Sequence, residues 1–505
     1  MNTIIAISPI ALLIVMMTKK KSLPSHIALP VVAVLLYLLK IFYYKSDLLL
    51  MNATIIDGLL TAWTPILVIW GAIFLFRTME NTGGMKVIRN WLDSVSGNKV
   101  AQIMIIGWAF SFLIEGASGF GTPAALAAPL LVGLGFPALN VAALTLVMNS
   151  VPVTFGAVGT PIWFGLGQLG LTEGQLLTIG IKAALIHTVA ALIIPVVALH
   201  FLVDRKEIKE NLLFIYLSIL SCIIPYFLLA QVSYDFPSVV GGFIGLILTI
   251  LLAGKGIGLT KTKTVKTEKI PFKTLAKSTF PLWGTVLLLV LTRLEQLPLK
   301  AWLSSNWVVT YNDILGTGTN FKHALLYVPS LIPFFLISLI ALMMYSKRSE
   351  NIRKSWLESW HRMKKPIIAL LAALIFVKLL MVGGEQSLTM MIGQSLADIV
   401  GRNWQIFAAF LGGLGSFFSG SNTVSNLTFG GIQQSIALSL KLDLTTILAA
   451  QSVGGAMGNM ICINNIVAVC SVLGLVNAEG KILRSTFCIM LSYGFIAGIV
   501  AFLLS

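Results

Sequence analysis

Apolar runs long enough to cross a lipid bilayer recur along the whole chain. A membrane-spanning helix needs about 17 to 25 mostly apolar residues. Runs near that length occur at 2–17, 23–43, 55–76, 99–114, 174–202, 211–230, 237–254, 279–294, 324–345, 366–382, 404–418 and 486–504. A soluble core is excluded by the composition, which is 57% apolar and only 11% charged. The sequence therefore predicts an all-α polytopic membrane protein with about 12 to 16 transmembrane helices or half-helices.

Basic residues cluster in loops that flank alternate apolar runs. These clusters lie at 19–21, 77–89, 205–209, 255–277 and 347–365. Loops rich in Lys and Arg stay in the cytoplasm, so the pattern predicts an external N-terminus and cytoplasmic basic loops. The formal charge of +16 therefore reflects orientation in a membrane. The expected partner is the lipid bilayer rather than a nucleic acid.

A basic linker at 255–277 divides the chain into two parts of similar length. We expect an N-terminal transmembrane repeat at 1–254 and a C-terminal one at 278–505. The four cysteines lie in apolar stretches and form no CxxC pair, which indicates neither disulfides nor a metal site. No redox cofactor, nucleotide loop or metal cluster is visible, so we expect no cofactor.

One apolar segment is interrupted by an acidic residue and several glycines. It reads F-S-F-L-I-E-G-A-S-G-F-G-T-P and covers 110–123. Non-helical backbone at membrane depth is tolerated only inside protein or beside a watery cavity, and a carboxylate there is usually functional. The segment therefore predicts a ligand site in which Glu115 carries a proton. A carboxylate tied to a structural partner is the alternative.

The second half contains a similar set of breaks about 305 positions later. There G-S-N-T-V-S-N (420–426) corresponds to E-G-A-S-G-F-G (115–121), and G-G-A-M-G-N-M-I-C-I-N-N (454–465) corresponds to M-N-S-V-P-V-T-F-G-A-V-G-T-P (148–161). Secondary transporters are commonly built from two such repeats, whose broken helices or re-entrant hairpins meet near the midplane. Close helix packing by small residues is the alternative explanation.

Helix starts within these breaks are suited to a small anion, because half-helix N-termini present free N–H groups and partial positive charge. Amide side chains there can donate to a carboxylate and accept from a hydroxyl. The expected substrate-binding residues are Gly116, Ser118, Gly119, Gly121, Thr122, Asn149, Thr160, Ser421, Asn422, Thr423, Asn426, Asn459 and Asn464.

These motifs resemble those of the bacterial L-lactate permease family over nearly the full length. The resemblance rests on F-L-I-E-G-A-S-G-F-G-T-P-A-A, L-L-V-G-L-G-F-P, N-S-V-P-V-T-F-G-A-V-G-T-P-I and, in the second half, G-S-N-T-V-S-N with G-N-M-I-C-I-N-N-I-V-A-V. It implies a multi-pass symporter that carries lactate, glycolate or related 2-hydroxy monocarboxylates together with protons. A homodimer is left open as its assembly.

Two positions depart from the family pattern. Asn422 stands where the pattern has an acidic residue, and Asn459 stands where it has a lysine. The departures remove one acid and one base together, so Glu115 carries more of the expected coupling. Ser421-Asn422-Thr423 also resembles a motif of sodium-coupled dicarboxylate carriers, whose oxygen atoms suit a hard cation. Sodium coupling therefore stays open beside proton coupling.

Two other functions remain open. The first is a carrier of the same fold for another organic anion, such as a dicarboxylate. The second is an intramembrane serine protease, because Gly116-Ala117-Ser118-Gly119 fits a G-x-S-G motif and His187 could activate the serine. The protease explains neither Glu115 nor the second set of breaks. We therefore expect a transporter and not an enzyme.

Overall fold

A computed structural model describes residues 2–18, 23–119, 122–260, 270–293, 297–328, 331–345, 348–476 and 478–504. Helices make up most of these residues. This agrees with the all-α prediction and follows from the need to satisfy backbone hydrogen bonds within each segment in lipid.

The first half contains fourteen α-helices among its described residues. They are α1 (Asn2–Thr18), α2 (Ser25–Leu38), α3 (Leu48–Asn81), α4 (Gly84–Val95), α5 (Lys99–Ile103), α6 (Ser111–Ser118), α7 (Thr122–Gly133), α8 (Ala138–Met148), α9 (Gly156–Thr160), α10 (Glu173–Ala191), α11 (Ile194–Leu199), α12 (Arg205–Glu210), α13 (Leu212–Ala230) and α14 (Pro237–Gly254).

The described part of the second half contains ten α-helices and one antiparallel hairpin. They are α15 (Phe272–Arg293), α16 (Pro298–Ser305), β1 (Val308–Ile314), β2 (Thr319–Ala324), α17 (Leu336–Met343), α18 (Arg348–Met381), α19 (Leu388–Val400), α20 (Trp404–Ser419), α21 (Asn422–Leu440), α22 (Leu444–Gly458), α23 (Ile463–Leu473) and α24 (Glu479–Leu503). The linker prediction is only partly covered, because 261–269 lie outside the described residues and 272–277 already belong to α15.

Short 3-10 or π segments join or extend several helices. They are Leu39–Tyr43, Met104–Phe110, Val151–Phe155, Pro161–Leu166, Gly167–Leu169, Leu331–Phe335, Gly384–Gln386, Gly401–Asn403 and Asn459–Ile461. Two of them, Val151–Phe155 and Asn459–Ile461, interrupt the chain directly after α8 and α22. The chain bends by 48° between α8 and the first of these segments, whereas the second is a short 3-10 turn within the helical stretch Leu444–Cys470.

Eight helical stretches of the described chain are long and apolar enough to cross a membrane, and a bent pair at 138–148 and 151–169 makes a ninth. The eight are Ser25–Tyr43, Leu48–Asn81, Lys99–Ser118, Glu173–Ala191, Leu212–Ala230, Pro237–Gly254, Leu444–Cys470 and Glu479–Leu503. Shorter apolar helices occur at Ile4–Leu13 and Leu331–Met343. With the half-helices of the breaks, this set is compatible with the predicted count, and the chain is a multi-pass membrane protein.

The two halves repeat an order of elements. Each contains a helix of 34 residues, α3 or α18, and then a shorter helix, α4 or α19. A pair of helices separated by a sharp turn follows, and then a helix that ends in a break. The two 34-residue helices pack along each other, and α20 packs along α22. This arrangement brings the four breaks into the interior.

Candidate functional site

The first pair of breaks turns the chain sharply at glycine. Helix α6 ends at Ser118, and Gly119 has φ of 62° while its N–H donates to the carbonyl oxygen of Glu115 at 2.9 Å. Helix α20 ends at Ser419, and Gly420 follows with φ of 71°. Positive φ suits glycine because it has no Cβ. The two turns therefore end their helices inside the protein, as the sequence predicts.

The second-half turn is followed by the predicted helix start. Ser421 is the N-cap of α21, and its hydroxyl accepts from the N–H of Val424 at 3.3 Å. The first N–H groups of a helix have no partner within the helix. The N–H groups of Asn422 and Thr423 therefore point out of the N-terminal end of α21. This helix has 19 residues, and its N-terminus carries partial positive charge.

A small cavity lies between the two sets of breaks. Its walls come from both halves and comprise Glu115, Gly119, Val153, Gly156, Ala157, Pro161, Ser421, Asn422, Thr423 and Asn459. The space open to the centre of a water-sized sphere is only about 10 Å³, close to the minimum that holds one water molecule. The walls therefore lie close together in this conformation, and they must separate to admit a ligand larger than water.

Glu115 forms the first-half wall and is 1% exposed. Its Oε2 accepts a hydrogen bond of 3.0 Å from the side-chain nitrogen of Asn149. Within the described chain, the carboxylate has no ion pair with a basic side chain. A Cβ atom at Gly156 would lie 2.6 Å from Oε1 of Glu115. The glycine therefore leaves the room that the carboxylate occupies.

The segment after Gly156 has an unusual backbone. Ala157, Val158 and Gly159 have φ of 44°, 57° and 69°, a left-handed run that costs energy at residues with a Cβ. A Cβ atom at Gly159 would lie 2.0 Å from the carbonyl oxygen of Tyr234. The strained segment is thus held against the loop before α14, with Ala157 facing the cavity.

Asn422 lines the second-half wall and Asn426 lies behind it, and both contact Ser452. Their side-chain nitrogens lie 3.3 and 3.0 Å from the Ser452 hydroxyl oxygen. Asn426 also donates to the carbonyl oxygen of Pro161 at 2.9 Å, which ties α21 to the first-half break. The Oδ1 atom of Asn422 fills the space beside Gly455, where a Cβ would lie 1.9 Å from it.

Three buried amide oxygens near the cavity have no hydrogen-bond partner in the described structure. They are the Oδ1 atoms of Asn149, Asn422 and Asn426. A buried acceptor without a donor costs about 1–3 kcal/mol, and most buried polar atoms are paired. The site is therefore rich in acceptors and suits a ligand that brings a donor or a cation.

The cavity brings together six of the predicted residues and places others around it. Glu115, Gly119, Ser421, Asn422, Thr423 and Asn459 line it. Asn149 and Asn426 lie behind the wall, where they hold Glu115 and Ser452.

Of the remaining predicted residues, Gly116, Ser118, Thr160 and Asn464 are described and do not line it. Gly116 packs against α14, where a Cβ would lie 2.2 Å from the backbone nitrogen of Val239. Ser118 donates to the carbonyl oxygen of Ile114 at 2.9 Å, and Thr160 donates to that of Ala157. Asn464 lies on α23 beside Gly420. Thr122 begins α7, and Gly121 lies outside the described residues.

The serine and histidine of the protease alternative do not meet. The Ser118 hydroxyl bonds within its own helix. The two ring nitrogens of His187 contact Thr154 and Tyr493 instead. A serine nucleophile needs its base within hydrogen-bond reach, so this structure gives the protease no catalytic pair.

Sequence reasoning missed Ser452, whose hydroxyl contacts the side-chain amides of Asn422 and Asn426. No local signal marks it, because Ser452 lies inside the apolar helix α22, before the second break. Sequence reasoning also missed Asp57, whose Oδ2 lies 2.8 Å from Nζ of Lys378. This ion pair joins α3 to α18 and does not line the cavity.

Comparison with known proteins agrees with the resemblance. The family model "L-lactate permease" matches residues 2–505. A provisionally named L-lactate permease of Haemophilus influenzae is 48% identical, with 100% of this chain and 98% of that protein covered. The Escherichia coli glycolate permease GlcA is 25% identical (100% and 95% covered), and an Escherichia coli L-lactate permease is 26% identical (99% and 95%). The solved structure of the Neisseria gonorrhoeae efflux pump MtrF is 12% identical, covers 98% of this chain and 97% of that one, and has a TM-score of 0.47.

Proposed function

Because this chain belongs to the L-lactate permease family, we propose that it carries L-lactate and related small 2-hydroxy monocarboxylates, such as glycolate, across the bacterial plasma membrane. The transport is symport with a proton. The observation that carries this proposal is the cavity that both halves build, with Glu115 on one wall and the start of α21 on the other.

The walls offer complementary groups to a 2-hydroxy acid. The substrate carboxylate binds the N–H groups of Asn422 and Thr423 at the helix start. The 2-hydroxyl donates to an unpaired amide oxygen, and among these only that of Asn422 belongs to a described residue of the lining. The hydroxyl of a 2-hydroxy acid therefore gives this amide oxygen a donor, whereas acetate, which has no hydroxyl, leaves it unpaired.

Glu115 supplies the proton step. An anion in the same cavity repels an ionised carboxylate, so it binds best when Glu115 is protonated. Substrate and proton then cross as a neutral pair, which avoids moving net charge through a low-dielectric interior. Release of both on the other side returns Glu115 to the ionised form that Asn149 stabilises.

Sodium coupling is the second candidate, and the unpaired amide oxygens favour it. Sodium is a hard cation that takes oxygen ligands, and Asn422 and Asn426 each present an Oδ1 without a donor. The amide orientation of Asn426 is fixed, since its nitrogen faces the Pro161 carbonyl oxygen. The same atoms serve a substrate hydroxyl equally well, so the coupling ion must be measured.

Uptake of labelled lactate into proteoliposomes under an imposed gradient separates the two ions. We expect an inward proton gradient without sodium to drive accumulation, and a protonophore to abolish it. Accumulation only under a sodium gradient would show that sodium, and not a proton, is the coupled ion. No uptake under either gradient would reject lactate transport. A competition panel of glycolate, acetate and dicarboxylates then defines the substrate class, with glycolate expected to compete best.

A further inference from the structure

A fully buried polar chain connects the two halves beside the cavity. It consists of Tyr493, His187, Thr154 and Ser452, each 0% exposed. The Thr154 hydroxyl oxygen lies 2.7 Å from Nε2 of His187 and 3.2 Å from the carbonyl oxygen of Ser452. Nδ1 of His187 contacts the Tyr493 hydroxyl. Two members come from each half.

The carbonyl oxygen of Ser452 determines where each proton lies in this chain of hydrogen bonds. A carbonyl oxygen only accepts, so Thr154 donates its hydroxyl proton to Ser452. Thr154 must then accept from His187, which places a proton on Nε2. The remaining lone pair on Nδ1 accepts from the Tyr493 hydroxyl. One neutral tautomer of His187 therefore satisfies all the groups at once.

The surroundings also favour a neutral ring. The aromatic rings of Tyr226 and Tyr493 pack against His187 with centroids 6.4 and 6.0 Å away. Lys182 on the same helix reaches Asp443 and Thr446 instead. Across the described residues, no carboxylate forms an ion pair with His187. An imidazolium would turn Nδ1 into a donor and remove the acceptor that Tyr493 uses.

The chain is connected to the cavity at two points. Thr154 lies between Val153 and Gly156, which line the first-half wall. Ser452 receives the side-chain amides of Asn422 and Asn426 on its hydroxyl. A shift of Thr154 relative to Ser452 would therefore move the two walls relative to each other.

We propose that His187 is a positioning residue for substrate binding. It stays neutral and holds the first-half break, through Thr154, against α22. The proposal rests on the proposed function, because it gives these four hydrogen-bonded residues a role in binding the transported lactate. It separates His187 from Glu115, which handles the proton.

Thr154 offers the sharpest test, since valine has its shape but no hydroxyl. Thr154→Val should raise KM for lactate by on the order of tenfold, about the loss of one hydrogen bond, and leave the maximal rate within about twofold. Thr154→Ser should restore KM, because it keeps the hydroxyl. Both variants are checked for a monodisperse size-exclusion profile. An unchanged KM in well-folded Thr154→Val would overturn the positioning role.

His187→Gln tests the neutral state. Glutamine keeps one donor and one acceptor but cannot titrate between pH 5 and 8. We expect proton-driven accumulation with the wild-type pH profile, whereas His187→Leu should show the raised KM. Exchange without proton-driven accumulation in His187→Gln would identify His187 as a proton carrier and overturn the proposal. Absence of lactate uptake by the wild type would instead reject the proposed function itself.

Discussion

At the scale of single residues, the cavity depends on a buried carboxylate with one amide partner. Glu115 is 1% exposed and accepts from Asn149. If it carries the proton, Glu115→Gln removes that change of protonation while keeping a side chain of the same size that still accepts a hydrogen bond. We expect loss of uptake driven by a pH gradient but retained exchange of labelled for unlabelled lactate.

The matched control for this prediction is Glu350→Gln, which changes an exposed glutamate in the first turn of α18. It should leave both assays at wild-type levels. Undiminished pH-driven accumulation by Glu115→Gln would remove Glu115 from the coupling mechanism.

A second prediction concerns the glycine beside this carboxylate. Gly156→Ala places a methyl group about 2.6 Å from Oε1 of Glu115, so the carboxylate or the strained segment must move. The backbone of Gly156, with φ of −63°, accepts alanine, so the effect is steric. We expect uptake to fall at least about tenfold, on the scale of a small misplacement at a reacting group. Gly174→Ala is the control because no atom lies within 4 Å of its added Cβ.

At the scale of elements, glycines let α20 and α22 pack closely. A Cβ atom at Gly454 or Gly458 would lie 1.9 or 2.2 Å from a carbonyl oxygen of α20. Small residues commonly permit such backbone contact between helices in membranes. The packing-only explanation therefore accounts for these two glycines, whereas Gly420 and Gly119 form turns and Gly156 makes room for a carboxylate. The same residue type has different roles that only the contacts distinguish.

The start of α22 carries an electrostatic cap. Asp443 accepts from the N–H of Thr446 at 2.9 Å and pairs with Lys182 of α10. Burial acts to raise the pKa of Asp443, but its bonds to Lys182, Thr446 and Thr445 outweigh that and lower it to about 2. A depressed folded-state pKa stabilises the protein above the unfolded-state value of about 3.9, and the gain is lost as pH falls toward 2.

Asp443→Asn should therefore lower the melting temperature at pH 7, and the difference from wild type should shrink below about pH 4. Thermal unfolding in detergent across this pH range measures both effects. Asp204→Asn is the comparison, because Asp204 is the N-cap of α12 yet makes no side-chain capping bond. A difference for Asp443→Asn that does not change with pH would mean that its charge is not the stabilising feature.

The pair of long helices contains an ion pair of its own. Lys378 lies 2.8 Å from Asp57, which also accepts from Thr61 at 3.1 Å. Their side chains are 24% and 11% exposed, so either charge alone would be poorly solvated. We expect Asp57→Asn or Lys378→Met alone to lower the melting temperature more than the two together, because removing both leaves no unpaired charge. Additive losses in the double variant would contradict this coupling.

At the scale of the whole molecule, the basic loops predict its orientation. Lys206, with a side chain 85% exposed, precedes α13, and Thr310 lies exposed on β1. In a background without the four natural cysteines, Thr310→Cys should react with an impermeant maleimide on intact cells. Lys206→Cys should react only after the membrane is opened, and the reverse pattern would invert the topology.

The sequence by itself determined the class of the protein and the location of its breaks. Runs of apolar residues require helices in lipid, and glycine, serine and proline within them mark where those helices end, since these are local properties of the chain. Glu115 and Ser421–Thr423 were found in this way. Family membership followed from the same motifs.

Only the tertiary structure decided which polar side chains share a wall and which bond within their own helix. Gly116 and Ser118 belong to the motif of Glu115, yet neither lines the cavity. Gly116 packs against α14, and the Ser118 hydroxyl bonds to a carbonyl oxygen of its own helix. Ser452 and Thr154 became visible only when the halves met, since hydrogen bonds across about 300 residues leave no local pattern. The cavity, likewise, exists only where the two sets of breaks face each other.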